Sequence, residues 1–376
     1  MNYYLIAGER SGDLHGANLI RSLIDRDPEA QFRCWGGDYM REAGAELIVH
    51  YNDTAFMGFI EVLKNLGTIR QFLEQCKQDI LCNRPDVLIL IDYPGFNLRI
   101  AEFAHKQGIP VHYYISPKIW AWNTGRAKKI KAYVDELYCI LPFEKDFYKQ
   151  FDYEINYVGN PLFDEIRRHE PREKFLACHN LTDEPIIALL PGSRKQEIER
   201  LLDVMMELVP KLPHCQFVLA AIGNMPSSFY KKAINHKQIK IVYDQTYDLL
   251  SHARAAVVTS GTATLETALF NVPQVVCYKT SWLTYQLAKL VIKVKYISLV
   301  NLIADRKVVT ELIQGDCIAD TIVSELSPLV EQSPAREQML VDYAEIKELL
   351  GHYETSDKVA ELIIQSQKSK RPSDTK

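Results

Sequence analysis

The run Val87-Leu88-Ile89-Leu90-Ile91 allows few folds. Five large apolar residues in succession, with no polar position to turn toward water, fit a strand buried on both faces inside a parallel sheet. The run ends on Asp92, and Pro94-Gly95 then forces a sharp turn. Shorter apolar runs of the same kind recur along the chain, separated by amphipathic segments. Their spacing predicts strands over 3–7, 32–35, 87–91, 111–115, 136–140 and 155–158. A second series follows over 186–190, 217–221, 239–242, 255–259 and 275–278. The longest helix is expected over 59–82, where Ile60, Leu63, Leu66, Ile69, Leu73, Cys76 and Ile80 recur at helical spacing. Strand–helix alternation of this kind implies an α/β fold, a parallel sheet with helices on both faces.

A chain of 376 residues exceeds what one core usually supports. The charged stretch Arg167-Arg168-His169-Glu170-Pro171-Arg172-Glu173-Lys174 divides the two strand series and reads as a junction. The expected layout is a first domain over 1–165 and a second over 166–350. A C-terminal helix and frayed tail over 351–376 follow. Hydrophobic content of 47% and charged content of 24% are those of a soluble globular protein, and a net charge of −4 gives no reason to expect a nucleic-acid partner. The eight cysteines show no CxxC spacing, which argues against zinc and thioredoxin chemistry and for a reducing, cytoplasmic setting. The apolar start, 3–7, is too short for a signal peptide, and no apolar stretch is long enough to span a bilayer.

In open α/β sheets, ligands bind beyond the carboxyl ends of the strands. Asp92 would sit there, as a candidate general base, with simple helix capping as the plain alternative. Gly8-Glu9-Arg10-Ser11-Gly12-Asp13 follows the first strand; its glycines permit close backbone approach to a ligand, but it is not a dinucleotide fingerprint. An ordinary turn capped by Ser11 or Asp13 is the alternative. Pro191-Gly192-Ser193-Arg194 places a guanidinium suited to phosphate at a strand end, or leaves a solvated Arg after a turn. In Thr259-Ser260-Gly261-Thr262, a strand passes through small residues into a helix whose exposed amides suit a diphosphate. Glu266, a turn and a half on, either reaches sugar hydroxyls or, as a carboxylate near a helix N-terminus, simply stabilises the helix. The one DxD pattern, Asp25-Arg26-Asp27, precedes Pro28 at a helix end, and the histidines lack ligand spacing. No metal site is therefore expected, and phosphate charge falls to helix amides and Arg194.

Taken together, the motifs resemble the lipid-A-disaccharide synthase family, glycosyltransferases of the two-domain GT-B type. The resemblance is carried by Gly8–Asp13, Met57-Gly58-Phe59-Ile60-Glu61-Val62-Leu63 and Ile91-Asp92-Tyr93-Pro94-Gly95-Phe96-Asn97. It continues through Tyr114-Ile115-Ser116-Pro117-Lys118-Ile119-Trp120-Ala121-Trp122, Leu141-Pro142-Phe143-Glu144-Lys145 and Leu190-Pro191-Gly192-Ser193-Arg194. Ser260-Gly261-Thr262-Ala263-Thr264-Leu265-Glu266 and Ser298-Leu299-Val300-Asn301-Leu302 complete it. Two positions depart from many relatives: Gly95 stands where a second Asp is common, and Val300 where Pro is.

The resemblance implies two Rossmann-like domains facing a central cleft. It also implies an inverting transfer from UDP-2,3-diacylglucosamine to 2,3-diacylglucosamine 1-phosphate (lipid X), giving a β-1,6 disaccharide phosphate and UDP. No cofactor is implied. Asp92 is the expected base, with Glu9, Ser11, Glu61 and Asn301 at family positions linked to activity. Gly192, Ser193, Arg194, Ser260, Gly261, Thr262, Glu266 and Asn301 are the expected donor residues. Met57, Phe59, Glu61, Trp120, Trp122, Arg126, Lys128 and Lys129 are candidates for the acceptor, its acyl chains or an anionic membrane surface, the plain alternative being tryptophans in the core and lysines in solvent. A second basic-apolar run, 282–295, is a further membrane candidate. The implied setting is the cytoplasmic face of the inner membrane of a Gram-negative cell, bound peripherally. The family's assembly implies a homodimer, with the C-terminal segment 351–376 either crossing back or exchanged between copies. A UDP-sugar 2-epimerase or a non-catalytic sugar-nucleotide binder would share the diphosphate loops.

Overall fold

The computed structural model describes residues 1–54, 66–122, 124–223, 225–291, 294–351 and 354–370. The chain divides into two compact units, Met1–Pro161 with His352–Lys376, and Leu162–Gly351.

The first unit is built on seven parallel strands in the order β3-β2-β1-β4-β5-β6-β7. These are β1 (Asn2–Ala7), β2 (Gln31–Gly36), β3 (Glu46–His50), β4 (Val87–Ile91), β5 (Val111–Tyr114), β6 (Glu136–Cys139) and β7 (Asn156–Tyr157). The opening run forms β4, and all five of its residues are buried. Its alternate side chains enter two cores. Leu88 and Leu90 pack on the face holding Trp35 and Phe96, and Val87, Ile89 and Ile91 on the face holding Ile20 and Leu23. Each such burial contributes about 1.5–3 kcal/mol, so no position of the strand tolerates a polar residue cheaply. The C-terminal helix Thr355–Lys370 returns to this unit. It buries Val359, Ala360 and Ile363 in the second of these cores, pairs Asp357 with Arg26 at 3.2 Å and sets Gln367 against buried His112 at 3.1 Å.

The second unit repeats the pattern with six parallel strands in the order β10-β9-β8-β11-β12-β13. They are β8 (Ile186–Leu190), β9 (Gln216–Ala221), β10 (Ile239–Tyr243), β11 (Ala255–Thr259), β12 (Gln274–Tyr278) and β13 (Thr310–Ile313). In both units the first strand lies between the second and the fourth, and strand order reverses beside it. That reversal opens a crevice at the carboxyl ends, where ligands bind in folds of this kind. In the first unit Ala7 pairs with Ile91, so Gly8 and Asp92 leave the sheet side by side. In the second, Leu190 pairs with Val258, which brings the 191–194 and 259–262 loops together.

The long helix begins its described course at Leu66 and runs to Asn83; the expected residues before it lie outside the described residues. Strands β3 and β13 were not expected. Each lies at a sheet edge with only one fully buried residue, so neither carries the continuous apolar run that marks the central strands.

Candidate active site

The backbone turns sharply as β4 ends. Asp92 and Tyr93 both take the left-handed conformation (φ 44° and 48°), uncommon for residues other than glycine and a form of local strain. The turn is held from below. Asn97, wholly buried, donates to the carbonyl oxygens of Asp92 (2.8 Å), Ile91 (3.3 Å) and Ile6 (3.4 Å), tying β1 to β4, and the Tyr113 hydroxyl donates to the Asp92 carbonyl. Tyr93 is the cap residue of the helix Pro94–Lys106, and no side chain caps it. The Asp92 carboxylate is therefore not the helix cap. It is half-buried, and burial, with the neighbouring Glu9 charge second, pushes its pKa up to about 6; Lys118 and the Tyr93 N–H act against this. That value suits a base working near neutral pH.

Glu9 stands at the N-cap of the helix Arg10–Arg26 with its side chain exposed, accepting a hydrogen bond from Ser11 Oγ at 2.6 Å. Gly8 has no alternative: a Cβ there would run into the Tyr93 ring. Asp13, 1% exposed, does not cap its own helix. It accepts the backbone N–H groups of Gly37 (2.7 Å), Tyr39 (3.0 Å) and Met40 (3.1 Å), fixing the end of β2 beside the loop.

The acceptor candidates separate. Met57, Phe59 and Glu61 lie outside the described residues, as does the side chain of Trp122. Trp120 turns inward: its indole N–H donates to Glu144 Oε1 at 3.2 Å, and its ring meets Phe143 edge-on. Glu144 is itself buried, its pKa raised to about 7 by burial, and it also accepts the Leu141 N–H. This pair ties the 119–122 segment to the 141–145 segment. Lys129 forms an ion pair with Glu102 at 2.6 Å, Lys128 is exposed, and half-buried Arg126 acts on the Tyr113 hydroxyl.

In the second unit Gly192 (φ 105°) turns the chain after β8; a Cβ there would meet the Glu197 carboxylate. Glu197 reaches back to accept the N–H groups of Ser193 and Arg194, both at 3.2 Å, and so caps the helix Lys195–Met206. Those two amides are thus occupied. The Arg194 guanidinium is not confined: its side chain is 77% exposed and meets Glu197 at 3.1 Å, an exposed pair worth little.

After β11, Ser260 is also engaged, its N–H with Cys277 and its hydroxyl donating to the Ile297 carbonyl at 2.8 Å. Gly261 (φ 153°) then opens the helix Thr262–Leu269 with no side-chain cap. The Thr264 N–H donates to the Gly261 carbonyl at 3.2 Å, while the amides before it lie ahead of the first intrahelical bond. Asn301 is 1% exposed and committed internally. Its amide donates to Val309 O and Glu311 Oε1, both at 2.9 Å, and its oxygen accepts Val308 N–H and Val309 N–H. Glu311 on β13 also accepts the N–H groups of Ile297 and Ser298. The bonds of Ser260 and Asn301 thus hold the loops at these strand ends in shape. Sequence reasoning missed Glu197, Glu311, Asn97 and Tyr113; only a Glu three residues after Arg194 carried a readable signal, the spacing of a capping box.

Glu266 is half-buried on the second turn of its helix. Burial, then the charge of Glu165, raises its pKa to about 7. Among the described residues no three His, Cys, Asp or Glu side chains gather as a metal site, and no helix is long and apolar enough to cross a membrane.

The sequence profile of lipid-A-disaccharide synthetase matches residues 3–365. Lipid-A-disaccharide synthase of Geobacter sulfurreducens is 39% identical over 368 residues, covering 96% of both chains. That of Coxiella burnetii (strain CbuG_Q212) is 37% identical over 364 residues, again 96% of both. Among solved structures, a Staphylococcus aureus MnaA–UDP complex superposes with a TM-score of 0.70 at 11% identity, covering 100% of each chain. UDP-GlcNAc 2-epimerase of Neisseria meningitidis with bound UDP-GlcNAc gives 0.66 at 12% identity, covering 98% of this chain and 100% of that one. The glycotransferase of kitacinnamycin gives 0.67 at 14% identity, covering 97% and 98%. Likeness at these identities establishes the fold alone, two Rossmann-like units of the GT-B kind.

Proposed function

The chain belongs to the lipid-A-disaccharide synthase family, and from that premise we propose how its residues perform the transfer. The enzyme is a glycosyltransferase of lipid A biosynthesis. Its substrates are UDP-2,3-diacylglucosamine and 2,3-diacylglucosamine 1-phosphate. Asp92 takes the proton from the acceptor 6-hydroxyl as that oxygen attacks the anomeric carbon. The bond from that carbon to the diphosphate oxygen breaks, UDP leaves as an anion, and Asp92 returns its proton to water. One in-line displacement turns an α-linked donor into a β-linked product. The amides of Gly261, Thr262 and Ala263 and the Arg194 guanidinium meet the charge on the departing diphosphate, and Glu266 accepts from the ribose hydroxyls. Glu9 keeps Asp92 basic. Ser260, Gly192, Ser193 and Asn301 hold the loops in shape.

The observation that carries this reading is the Asp92 carboxyl at the end of β4, held in a strained turn with its pKa raised into the working range. Purified protein given both lipid substrates should yield the disaccharide phosphate by mass spectrometry. UDP-N-acetylglucosamine supplied alone should return no 2-epimer. The reaction needs no metal on this reading, so addition of a chelator should leave the rate unchanged; a chelator-sensitive rate restored by a divalent ion would refute that part.

The substrates reside in a bilayer, and we place the enzyme peripherally on the cytoplasmic face of the inner membrane. The helix Trp282–Val291 supplies a contact surface: Trp282 is 73% and Leu290 83% exposed, beside exposed Lys289 and Lys295. Trp282 and Lys289 fall roughly 20° apart around the helix at 3.6 residues per turn. Apolar anchors beside lysines suit an anionic surface, each lysine adding about 1 kcal/mol. The double variant W282A/L290A should lose at least about tenfold in binding to phosphatidylglycerol vesicles by co-sedimentation. Unchanged binding would exclude this helix.

A further inference from the structure

Behind Glu266 stands a group that the mechanism above does not use. Tyr247, on the helix Thr246–His252, places its hydroxyl 3.4 Å from Glu266 Oε1 and 3.3 Å from Glu165 Oε2 of the helix Leu162–Arg168. All three side chains are half-buried. A phenol carries one proton and donates it to one acceptor at a time. With both carboxylates ionised, one of them faces the hydroxyl oxygen with no proton between, in surroundings that solvate charge poorly. A single further proton removes the conflict, because a protonated carboxyl then donates to the phenol oxygen while the phenol donates onward.

We propose that Glu165 and Tyr247 form a proton-sharing unit with Glu266, in which Glu165 is a positioning residue that makes donor affinity depend on pH. The proposal rests on the reading of Glu266 as the ribose contact. Ionised Glu266 accepts from two ribose hydroxyls; protonated, it competes with them as a donor. Burial and the Glu165 charge push Glu266 up to about 7, while the Tyr247 hydroxyl draws it down. Glu165 is itself raised, by burial first, with Asp164 adding to the effect and Arg168 opposing it. On the far side of Tyr247 lies the His169 ring, 5.6 Å away, itself set against Asp248 at 3.5 Å, with Arg172 on the same carboxylate. These groups accompany Tyr247, and Glu165 is the charge that acts on Glu266.

The test is equilibrium binding of UDP-2,3-diacylglucosamine in detergent micelles without acceptor, so that Asp92 does no chemistry. The donor is a phosphate diester and does not titrate across the range of about pH 5.5 to 8.5 used to follow these carboxyls. In the wild type, Kd should rise about tenfold from pH 8 to pH 6, as expected for loss of one ionised carboxylate with a pKa near 7. Glu165→Gln removes the neighbouring charge and should move the inflection of that rise below pH 7, so that Kd rises less between pH 8 and pH 6 than in the wild type. Tyr247→Phe removes the downward influence and should move the inflection above pH 7. A merely structural role would weaken binding equally at every pH, and such parallel profiles for both variants would overturn the proposal. If Glu165→Gln does not fold, the upward displacement in Tyr247→Phe decides alone. Failure of the wild type to bind donor at any pH would instead overturn the functional reading of the second unit.

Discussion

Asp92→Asn is expected to lower kcat by roughly a thousandfold, within the range a positioned general base contributes, while leaving donor affinity within about twofold. Asn fills the same space but cannot accept the acceptor proton. Its effect on the fold should run the other way. The carboxyl of Asp92 is raised from 3.8 to about 6, first by burial and then by Glu9. A raised carboxyl pKa means that the folded protein holds the proton more tightly than the unfolded chain. Ionisation therefore destabilises the fold above the folded pKa, and the penalty vanishes below the unfolded one, near 4. At neutral pH it is on the order of 2 kcal/mol after allowing for the solvent that reaches a half-buried group. The variant should thus melt higher than wild type at pH 7.5 and equal to it near pH 4. In the wild type, kcat at saturating donor should fall about tenfold per pH unit below 6, and the residual rate of the variant should lose that acid limb. Near-normal turnover by a folded Asp92→Asn protein would remove the base assignment. A stability loss accompanying the activity loss would assign Asp92 to the fold instead.

Arg194→Ala is the second large effect, about a hundredfold in kcat/KM with little change in melting temperature. The two expectations separate because the local structure does not depend on this side chain. Glu197 caps the helix through backbone N–H groups that alanine retains, and the exposed Arg194–Glu197 pair contributes at most about 1 kcal/mol. On the proposed mechanism, what is lost is a planar donor to the developing diphosphate charge, a class of group whose removal commonly costs 10²–10³ in rate. Arg194→Lys should recover only part of the loss, since an ammonium cannot make the bidentate contact. Wild-type kcat/KM in the alanine variant would show that the helix amides alone carry the leaving group.

The central strands were legible because burial on both faces demands an unbroken apolar run, which Val87–Ile91, Ile186–Leu190 and Ala255–Thr259 display. The edge strands β3 and β13 were not, because a strand with an open side needs no such run. The loops were legible as strand ends, but the hydrogen-bond partners of their residues were not. The Ser260 hydroxyl donates to Ile297, and the Asn301 amide to Val309 and Glu311. The Trp120 indole donates to Glu144, a partner from another element.

Sequence alone determined the two α/β units, the strand ends at which chemistry can occur and, through motifs in family order, the kind of reaction. Those are properties of contiguous residues, set by periodicity and by side chains close together along the chain. Only the tertiary structure decided which polar groups remain free and which carboxyls hold a proton near neutrality. The Asp92 carboxyl is raised by burial and by Glu9, which stands far earlier in the chain. Glu266 meets Glu165 across a tyrosine contributed by a third helix. Desolvation and hydrogen bonding between distant residues exist only once the chain has folded, so no local pattern records them.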